Sequence, residues 1–303
     1  MRAANPTEQT AARFACADPA APARYFALVP CAGSGSRAGT AQPKQYQPIA
    51  GQPLVMHTLQ ALAGVARLNG GVVVLTPGDD FAWPSGPQWP DLFVRQACGG
   101  ATRAHSVFQG LQALAELGVR DTDWVLVHDA ARCLVTPQMV DALIDACADD
   151  PVGGLLALPL PDTLKQEVGG RSQTTVPRAD KWLAQTPQMF RLGALRGALA
   201  AKMADGFAGI TDEASAMELA GHAPLLVTGS AHNFKVTYPQ DFALAAAVLG
   251  MRIGYAESVK ARNVNLDLTR WVGSAPDDGL STEEALAQLR QRTVPWKQED
   301  QDP

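Results

Sequence analysis

The sequence predicts an α/β fold, a mostly parallel twisted sheet flanked by helices with a β-arm projecting from it. Three observations carry that expectation. Short apolar runs alternate with stretches whose apolar residues recur at helical spacing, the pattern of repeated β-α-β units. The short runs are apolar throughout, as are strands covered on both faces. One polar stretch breaks the rhythm and carries Gly169-Gly170 between residues able to form strands, as a hairpin does.

The elements follow in order. Tyr25–Pro30 (YFALVP) reads as a buried strand, and Pro53–Ala63 as a helix with proline in its first turn. Gly71–Thr76 is a strand and Leu92–Arg95 a short one. Arg103–Leu117 is a helix whose Val107, Leu111, Leu114 and Leu117 share one face. Trp124–His128 (WVLVH) is a strand, followed by a helix from Pro137. Gly154–Leu160 and Leu225–Thr228 are further strands, with the hairpin over Pro161–Val176. Pro239–Leu249 is a helix, with Gly250 just past its end. Beyond Met251 the alternation stops, and Ser281-x-x-Glu284 has the form of a capping box for one short helix. The expected organisation is a mobile leader over 1–23, one domain over 24–250 with its arm at about 160–178, and a tail over 251–303 that is partly helical or disordered.

Composition excludes several function classes. The net charge is -5, so a nucleic-acid coat or an anionic membrane surface is not the expected partner, and any bound anion needs a local basic pocket. No run approaches the roughly 20 apolar residues of a membrane span. The polar, Ala/Pro-rich start lacks the apolar core of a signal peptide. The five cysteines, Cys16, Cys31, Cys98, Cys133 and Cys147, form no C-x-x-C pair, and the five histidines have no metal-binding spacing. They are expected as small buried hydrophobes in a reducing, cytoplasmic protein.

After the first strand comes Cys31-Ala32-Gly33-Ser34-Gly35-Ser36-Arg37-Ala38. Its G-x-G-x-x-A spacing matches the dinucleotide fingerprint. However, Pro43 interrupts the helix that the fingerprint requires, and no acidic residue lies between Asp18 and Asp79 to hold a ribose. A phosphate loop of the G-K-[ST] type is also absent. The acid-free stretch suits a polyphosphate instead. Backbone N–H groups of the glycine turn approach an anion without obstruction, and Arg37 and Lys44 supply charge on either side. Taken alone, the same residues also describe a glycine turn followed by two solvated cations.

Further along, the residues resemble a known family. Pro30 to Arg37 followed by Pro43-Lys44-Gln45-Tyr46, Gly99-Gly100 with Arg103 and Ser106, His128-Asp129-Ala130-Ala131-Arg132, Pro161-Asp162-Thr163-Leu164-Lys165, Thr186-Pro187-Gln188, Ile210 to Ser215, and Phe234-Lys235-Val236-Thr237 occur in the order seen in 2-C-methyl-D-erythritol 4-phosphate cytidylyltransferases. The resemblance spans about Phe26 to Gly250. Cys31 stands where the family usually has alanine, Cys133 where it has proline, and Ser36 where a second basic residue often occurs. The tail is too short for the cyclodiphosphate synthase fused to some members and lacks its D-x-H.

The resemblance implies a Rossmann-like nucleotidyltransferase domain that moves a cytidylyl group from CTP to a sugar-alcohol phosphate with Mg²⁺. Arg37 and Lys44 would stabilise the transition state. Ala32, Gly33, Ser34, Gly35, Gly99, Gly100, Ser106, Asp129 and Ala130 would hold the nucleotide, with Asp129 also a candidate metal ligand. Arg132, Thr163, Arg178, Thr211 and Lys235 would bind the second substrate, Thr163 and Arg178 from an arm that crosses a homodimer interface. Thr211 is also placed to cap a helix, with Asp212 and Glu213 favourable to its dipole. A cytidylyltransferase for ribitol 5-phosphate, a non-catalytic nucleotide-binding module and a nicotinamide-dependent oxidoreductase are the alternatives.

Overall fold

The computed structural model describes residues 14–15, 18, 20–33, 42–84 and 88–265, the last eleven as backbone. Arg37, Ser34, Gly35, Cys16 and the Ser281-x-x-Glu284 box lie outside the described residues. The chain divides into two units, Met1–Met251 and Arg252–Pro303.

The first unit is built on a seven-stranded sheet. Its strands are β1 (Tyr25–Pro30), β4 (Leu68–Val74), β5 (Phe93–Gln96), β6 (Trp124–Val127), β7 (Gly153–Pro159), β10 (Trp182–Arg191) and β11 (Leu225–Thr228), in the order β11-β7-β10-β6-β1-β4-β5. A short hairpin, β2 (Pro48–Ile49) with β3 (Gln52–Pro53), precedes the first helix. Strand β1 pairs in parallel with β4 on one side and β6 on the other. Only β10 runs against its neighbours β6 and β7. The chain moves outward from β1 to β5 and then returns to the other side of β1 as β6. That reversal opens a crevice beyond the carboxyl ends of β1 and β6.

Alternation along β1 shows why the sheet is covered twice. Ala27 and Val29 face a core shared with α1 (Leu54–Ala63) and α3 (Pro137–Cys147). Phe26 and Leu28 face the opposite core, shared with α2 (Arg103–Glu116), α4 (Leu192–Ala200) and α5 (Glu213–Leu219). A third cluster, Leu54, Ala131, Leu134, Val236 and Val248, packs the start of α6 (Pro239–Asn265) against the loop after β6. The arm is the hairpin β8 (Leu164–Val168) with β9 (Arg171–Val176), a separate two-stranded sheet. Gly169 and Gly170, at φ 59° and 76°, make its turn in the left-handed region that glycine adopts without penalty.

Three expectations are corrected. Gly250 does not end its helix: α6 runs to Asn265, and Gly250 is not among the glycines with positive φ that would form a cap. Thr211 is not the cap of α5. Asp212 is, accepting from Ser215 N at 2.9 Å, while the Ser215 hydroxyl closes the box on Asp212 N. Part of the expected leader belongs to the fold, since Phe14 is buried against Phe26 with ring centroids 5.7 Å apart.

Candidate active site

A cavity of about 570 Å³ occupies the crevice, within the range of small-ligand sites. Its lining comes from the segments that follow the strands: Pro30 to Gly33 after β1, Gly100 to Arg103 after β5 with Ser106 from α2, and Asp129 to Ala131 after β6. Lys44, Gln45 and Lys235 complete it. Of the residues anticipated from sequence, Ala32, Gly33, Lys44, Gly100, Ser106, Asp129, Ala130 and Lys235 therefore meet in one place, and Gly99 adjoins them.

At Gly99 and Gly100 a larger residue would collide with its surroundings. A Cβ on Gly99 would lie 2.3 Å from the Ala32 Cβ and 2.8 Å from the Leu75 carbonyl oxygen, which its own N–H already contacts at 2.8 Å. A Cβ on Gly100 would lie 2.3 Å from the His105 ring. The Ser106 hydroxyl accepts from Gly100 N at 3.1 Å and donates to the Thr102 carbonyl at 2.9 Å, so the floor of the cavity is fixed before any ligand enters.

Lys44 stands on a 3₁₀ turn, Lys44–Tyr46, that Pro43 starts. Gln45 ties this turn to the glycine loop, its Nε2 donating to the Cys31 and Gly33 carbonyls at 3.0 and 2.8 Å. Tyr46 stacks on Phe81 at 4.0 Å and donates to Asp79 at 2.8 Å. Lys44 Nζ donates to the Val236 carbonyl at 2.8 Å, which draws the turn toward the Lys235 segment.

Asp129 is the centre of charge. It is 7% exposed, with Lys235 Nζ 2.9 Å from Oδ2, Arg103 Nε 2.8 Å from Oδ1, and Arg132 Nε 3.6 Å from Oδ2. Burial alone would raise its pKa. Arg103, Lys235 and Arg132 overcome that penalty and hold the carboxyl well below the usual range, so it stays ionised. Lys235 reaches the cavity because its neighbour Val236 is fully buried and its N–H is bound to the Ala131 carbonyl.

The remaining anticipated residues are arranged differently. Arg132 is mostly buried, donating to the Asn233 and Ala184 carbonyls at 2.8 and 3.2 Å, while its Nε makes no hydrogen bond. Thr163 and Arg178 are exposed on and beside the arm, outside the cavity lining. Thr211 is exposed too, with its N–H on the Ser215 hydroxyl. Glu213 is not a solvated acid at a helix start: it is 2% exposed and takes a two-point bond from Arg103.

Behind Asp129 lies a buried strap from β10 that sequence reasoning recognised only as a motif. Asp129 N donates to the Thr186 hydroxyl at 3.0 Å, and that hydroxyl lies 3.0 Å from His128 Nδ1. His128 Nε2 is 3.1 Å from the Arg132 carbonyl. Burial pushes the pKa of this fully enclosed ring down to about 4 from 6.5, against the pull of the Arg132 carbonyl. The folded state therefore keeps His128 neutral while the unfolded chain takes up a proton below pH 6.5. Stability should fall by about 3 kcal/mol as pH drops from 6.5 to 4, and no further from this group below that. Urea titrations of the parent and His128→Asn at pH 7 and pH 4.5 check this, the variant losing less over the interval. Equal losses would remove His128 from the account.

Comparison with known proteins bears on what this site is. The family model described as IspD, 2-C-methyl-D-erythritol 4-phosphate cytidylyltransferase, matches residues 25–251. The bifunctional enzyme IspD/IspF of Albidiferax ferrireducens is 59% identical over 229 residues, 76% of this chain but only 54% of that protein, so this chain spans about half its length. The 2-C-methyl-D-erythritol 4-phosphate cytidylyltransferase of Paraburkholderia phymatum is 51% identical over 230 residues, 75% of this chain and 97% of the relative. A crystal structure of 4-diphosphocytidyl-2C-methyl-D-erythritol synthase superposes with a TM-score of 0.65 at 37% identity, covering 76% of this chain and all of that one. With a sheet order that opens the crevice at β1 and β6 and a match that spans the whole cavity lining, the chain belongs to the 2-C-methyl-D-erythritol 4-phosphate cytidylyltransferase family.

Proposed function

We propose that this chain transfers a cytidylyl group from CTP to 2-C-methyl-D-erythritol 4-phosphate and releases pyrophosphate, a step of isoprenoid precursor synthesis. The observation that carries the reading is a cavity in which a glycine and Ser106 floor meets Lys44 and Lys235 around Asp129. A phosphate oxygen of the sugar alcohol attacks the α-phosphorus of CTP. A P–O bond forms there as the bond to the bridging oxygen of the β-phosphate breaks, and pyrophosphate leaves with the electron pair. Both reactants are polyanions, so fixed cations must lie between them, and the cations that face the leaving group contribute most in the transition state.

The chain's own residues divide that work. The backbone of Ala32, Gly33, Gly99 and Gly100 and the Ser106 hydroxyl receive the nucleotide, and Ala130 leaves room for it. Lys44, together with Arg37, Ser34 and Gly35, stabilises charge on the α-phosphate and pyrophosphate. Lys235, Arg132 and Thr211 bind the second substrate. Thr163 and Arg178 reach it from the arm of a second subunit. The exposed Val168, Trp182 and Leu183 on and beside that arm support such a homodimer.

Mg²⁺ fits the donor chemistry. Among the described residues no group of three His, Cys, Asp or Glu could cage a metal. Asp129 is the carboxylate of the cavity wall, but Arg103 and Lys235 engage its two oxygens, so an ion there would be coordinated mainly by phosphate oxygens and water, as Mg²⁺ prefers. When bound, the ion neutralises phosphate charge.

A cytoplasmic site of action accords with Cys31, Cys98 and Cys147 standing in no disulfide, and no helix among the described residues is long and apolar enough to cross a membrane. The net charge of -5 argues against nucleic acid as a partner.

The test is pyrophosphate release with Mg²⁺, pairing CTP, UTP, ATP and GTP with 2-C-methyl-D-erythritol 4-phosphate and with ribitol 5-phosphate. Release is expected only with CTP and the erythritol phosphate. Release with ribitol phosphate instead would overturn the substrate. Binding of CTP without release under any pairing would make the chain a nucleotide-binding relative without catalysis.

A further inference from the structure

An ion pair at the cavity wall has no place in the mechanism above: Arg103 lines the cavity, partly exposed, and Glu213 is buried behind it. Arg103 opens α2, whose first turn Thr102 caps by accepting from His105 N at 3.1 Å. Its guanidinium faces two acids. Nε donates to Asp129 Oδ1 at 2.8 Å, and the two terminal nitrogens donate to Glu213 Oε1 and Oε2 at 2.7 and 3.0 Å. A planar fork with three engaged donors has almost no rotational freedom left. Glu213 does not line the cavity, and it is itself held rigidly. It follows the Asp212 cap directly, and Gln188 of β10 grips both its neighbours, Nε2 donating to Asp212 Oδ2 at 2.9 Å and Oε1 accepting from Ala214 N at 2.7 Å. The line of contacts runs from β10 through α5 to Glu213, Arg103 and Asp129, and from the other oxygen of Asp129 to Lys235.

Such a pair is not accounted for by stability, because well-packed apolar side chains in its place are often as stable or more so. What an apolar pair cannot do is direct a carboxylate. Without Arg103, the Asp129 carboxylate would keep Lys235 and the more distant Arg132, and it could turn toward Lys235 or away from it.

We propose that Arg103 is a positioning residue and Glu213 its brace: together they orient the Asp129 carboxylate so that its Oδ2, the oxygen away from Arg103, presents Lys235 Nζ to the second substrate. The proposal deepens the cytidylyltransferase reading and rests on it for its kinetic consequences. Neither residue is assigned contact with the reacting atoms. Their loss should therefore act on turnover while leaving the nucleotide floor at Gly100 and Ser106 intact.

Two variants test this in the full chain. Glu213→Gln removes the charge but keeps one acceptor. Arg103→Met with Glu213→Leu replaces the pair by apolar groups of similar length. Both should lower kcat by about 10- to 100-fold, the usual effect of removing a group that orients a functional one. The KM for CTP should change less than about threefold, and the thermal midpoint of the double variant should stay near that of the parent. In a crystal structure of the double variant, Lys235 Nζ should leave its 2.9 Å contact with Asp129 Oδ2.

A folded double variant that keeps that contact and turns over at the parent rate would overturn the proposal. If the double variant does not fold, Glu213→Gln carries the same readouts. The crystallographic distance refers to no reaction. A failure of the positioning role is thus separable from a failure of the substrate assignment, which the parent enzyme's own pyrophosphate assay reads.

Discussion

Lys44→Ala should lower kcat for CTP-dependent pyrophosphate release by about 10²- to 10³-fold while the protein stays folded. In the role proposed for Lys44, the loss of one fixed charge that faces a leaving group accounts for about 3–4 kcal/mol. The fold should survive because the turn that carries Lys44 is secured by its neighbours. Gln45 binds two carbonyls of the glycine loop, and Tyr46 is held by Phe81 and Asp79. The substitution removes the ammonium and its bond to the Val236 carbonyl, and leaves those contacts untouched. Steady-state pyrophosphate release, with the far-ultraviolet spectrum and thermal midpoint as controls, measures the effect. Near-normal turnover in a folded variant would remove Lys44 from the transition state.

The second large effect is on stability and lies away from the cavity. Asp123 is fully buried and receives five hydrogen bonds. Arg24 donates its backbone N–H and a guanidinium nitrogen, at 3.0 and 2.9 Å, and Arg120 donates its N–H, Nε and a terminal nitrogen, at 3.0, 3.2 and 2.7 Å. Arg120 also donates to the carbonyls of Ala21 and Pro22, which fastens the segment before β1 to the loop before β6. Burial would raise the Asp123 pKa, but these donors prevail and bring it down to about 2 from 3.8. Asp123→Ala strands two partly buried guanidinium groups, and it should cost about 3–5 kcal/mol at pH 7.

The sign with pH is fixed. A carboxyl depressed in the folded state contributes fully above about pH 4, and its contribution is lost as pH falls toward 2. Urea denaturation of the parent and variant gives the difference. A loss under about 1 kcal/mol at pH 7 would mean that solvent replaces the donors' partner.

Much of the site was legible because its chemistry is local in sequence. The glycines of Gly99-Gly100, the lysine after Pro43 and the acid after an apolar strand each announce themselves within a few residues. The strand-and-helix rhythm then says that all of them follow strands, where an α/β sheet places its ligands. Strand β10 was harder to read. Trp182–Arg191 mixes Gln185, Thr186 and Gln188 with Pro187, and a proline argues against a central strand. The structure accommodates it through a break in register between Ala184 and Gln188, and there Thr186 becomes a support for Asp129. Gly250 misled for a related reason: glycine ends a helix only when it turns left-handed, and nothing local forces that turn.

By itself, then, the sequence determined the α/β class, the arm and its glycine turn, and several of the glycines and cations that line the cavity. These rest on backbone preference, hydrophobic period and residue chemistry, all of which act over short stretches. Only the tertiary structure decided the direction of β10, the cap on Asp212 and the burial of Phe14. It also decided the partners of Asp129. Whether Glu213 is a solvated acid at a helix start or the buried brace of Arg103 depends on a residue 110 positions away, and no local pattern encodes it. Charge pairing across a fold is set by which strands become neighbours, and that is settled when the two hydrophobic cores close on the sheet.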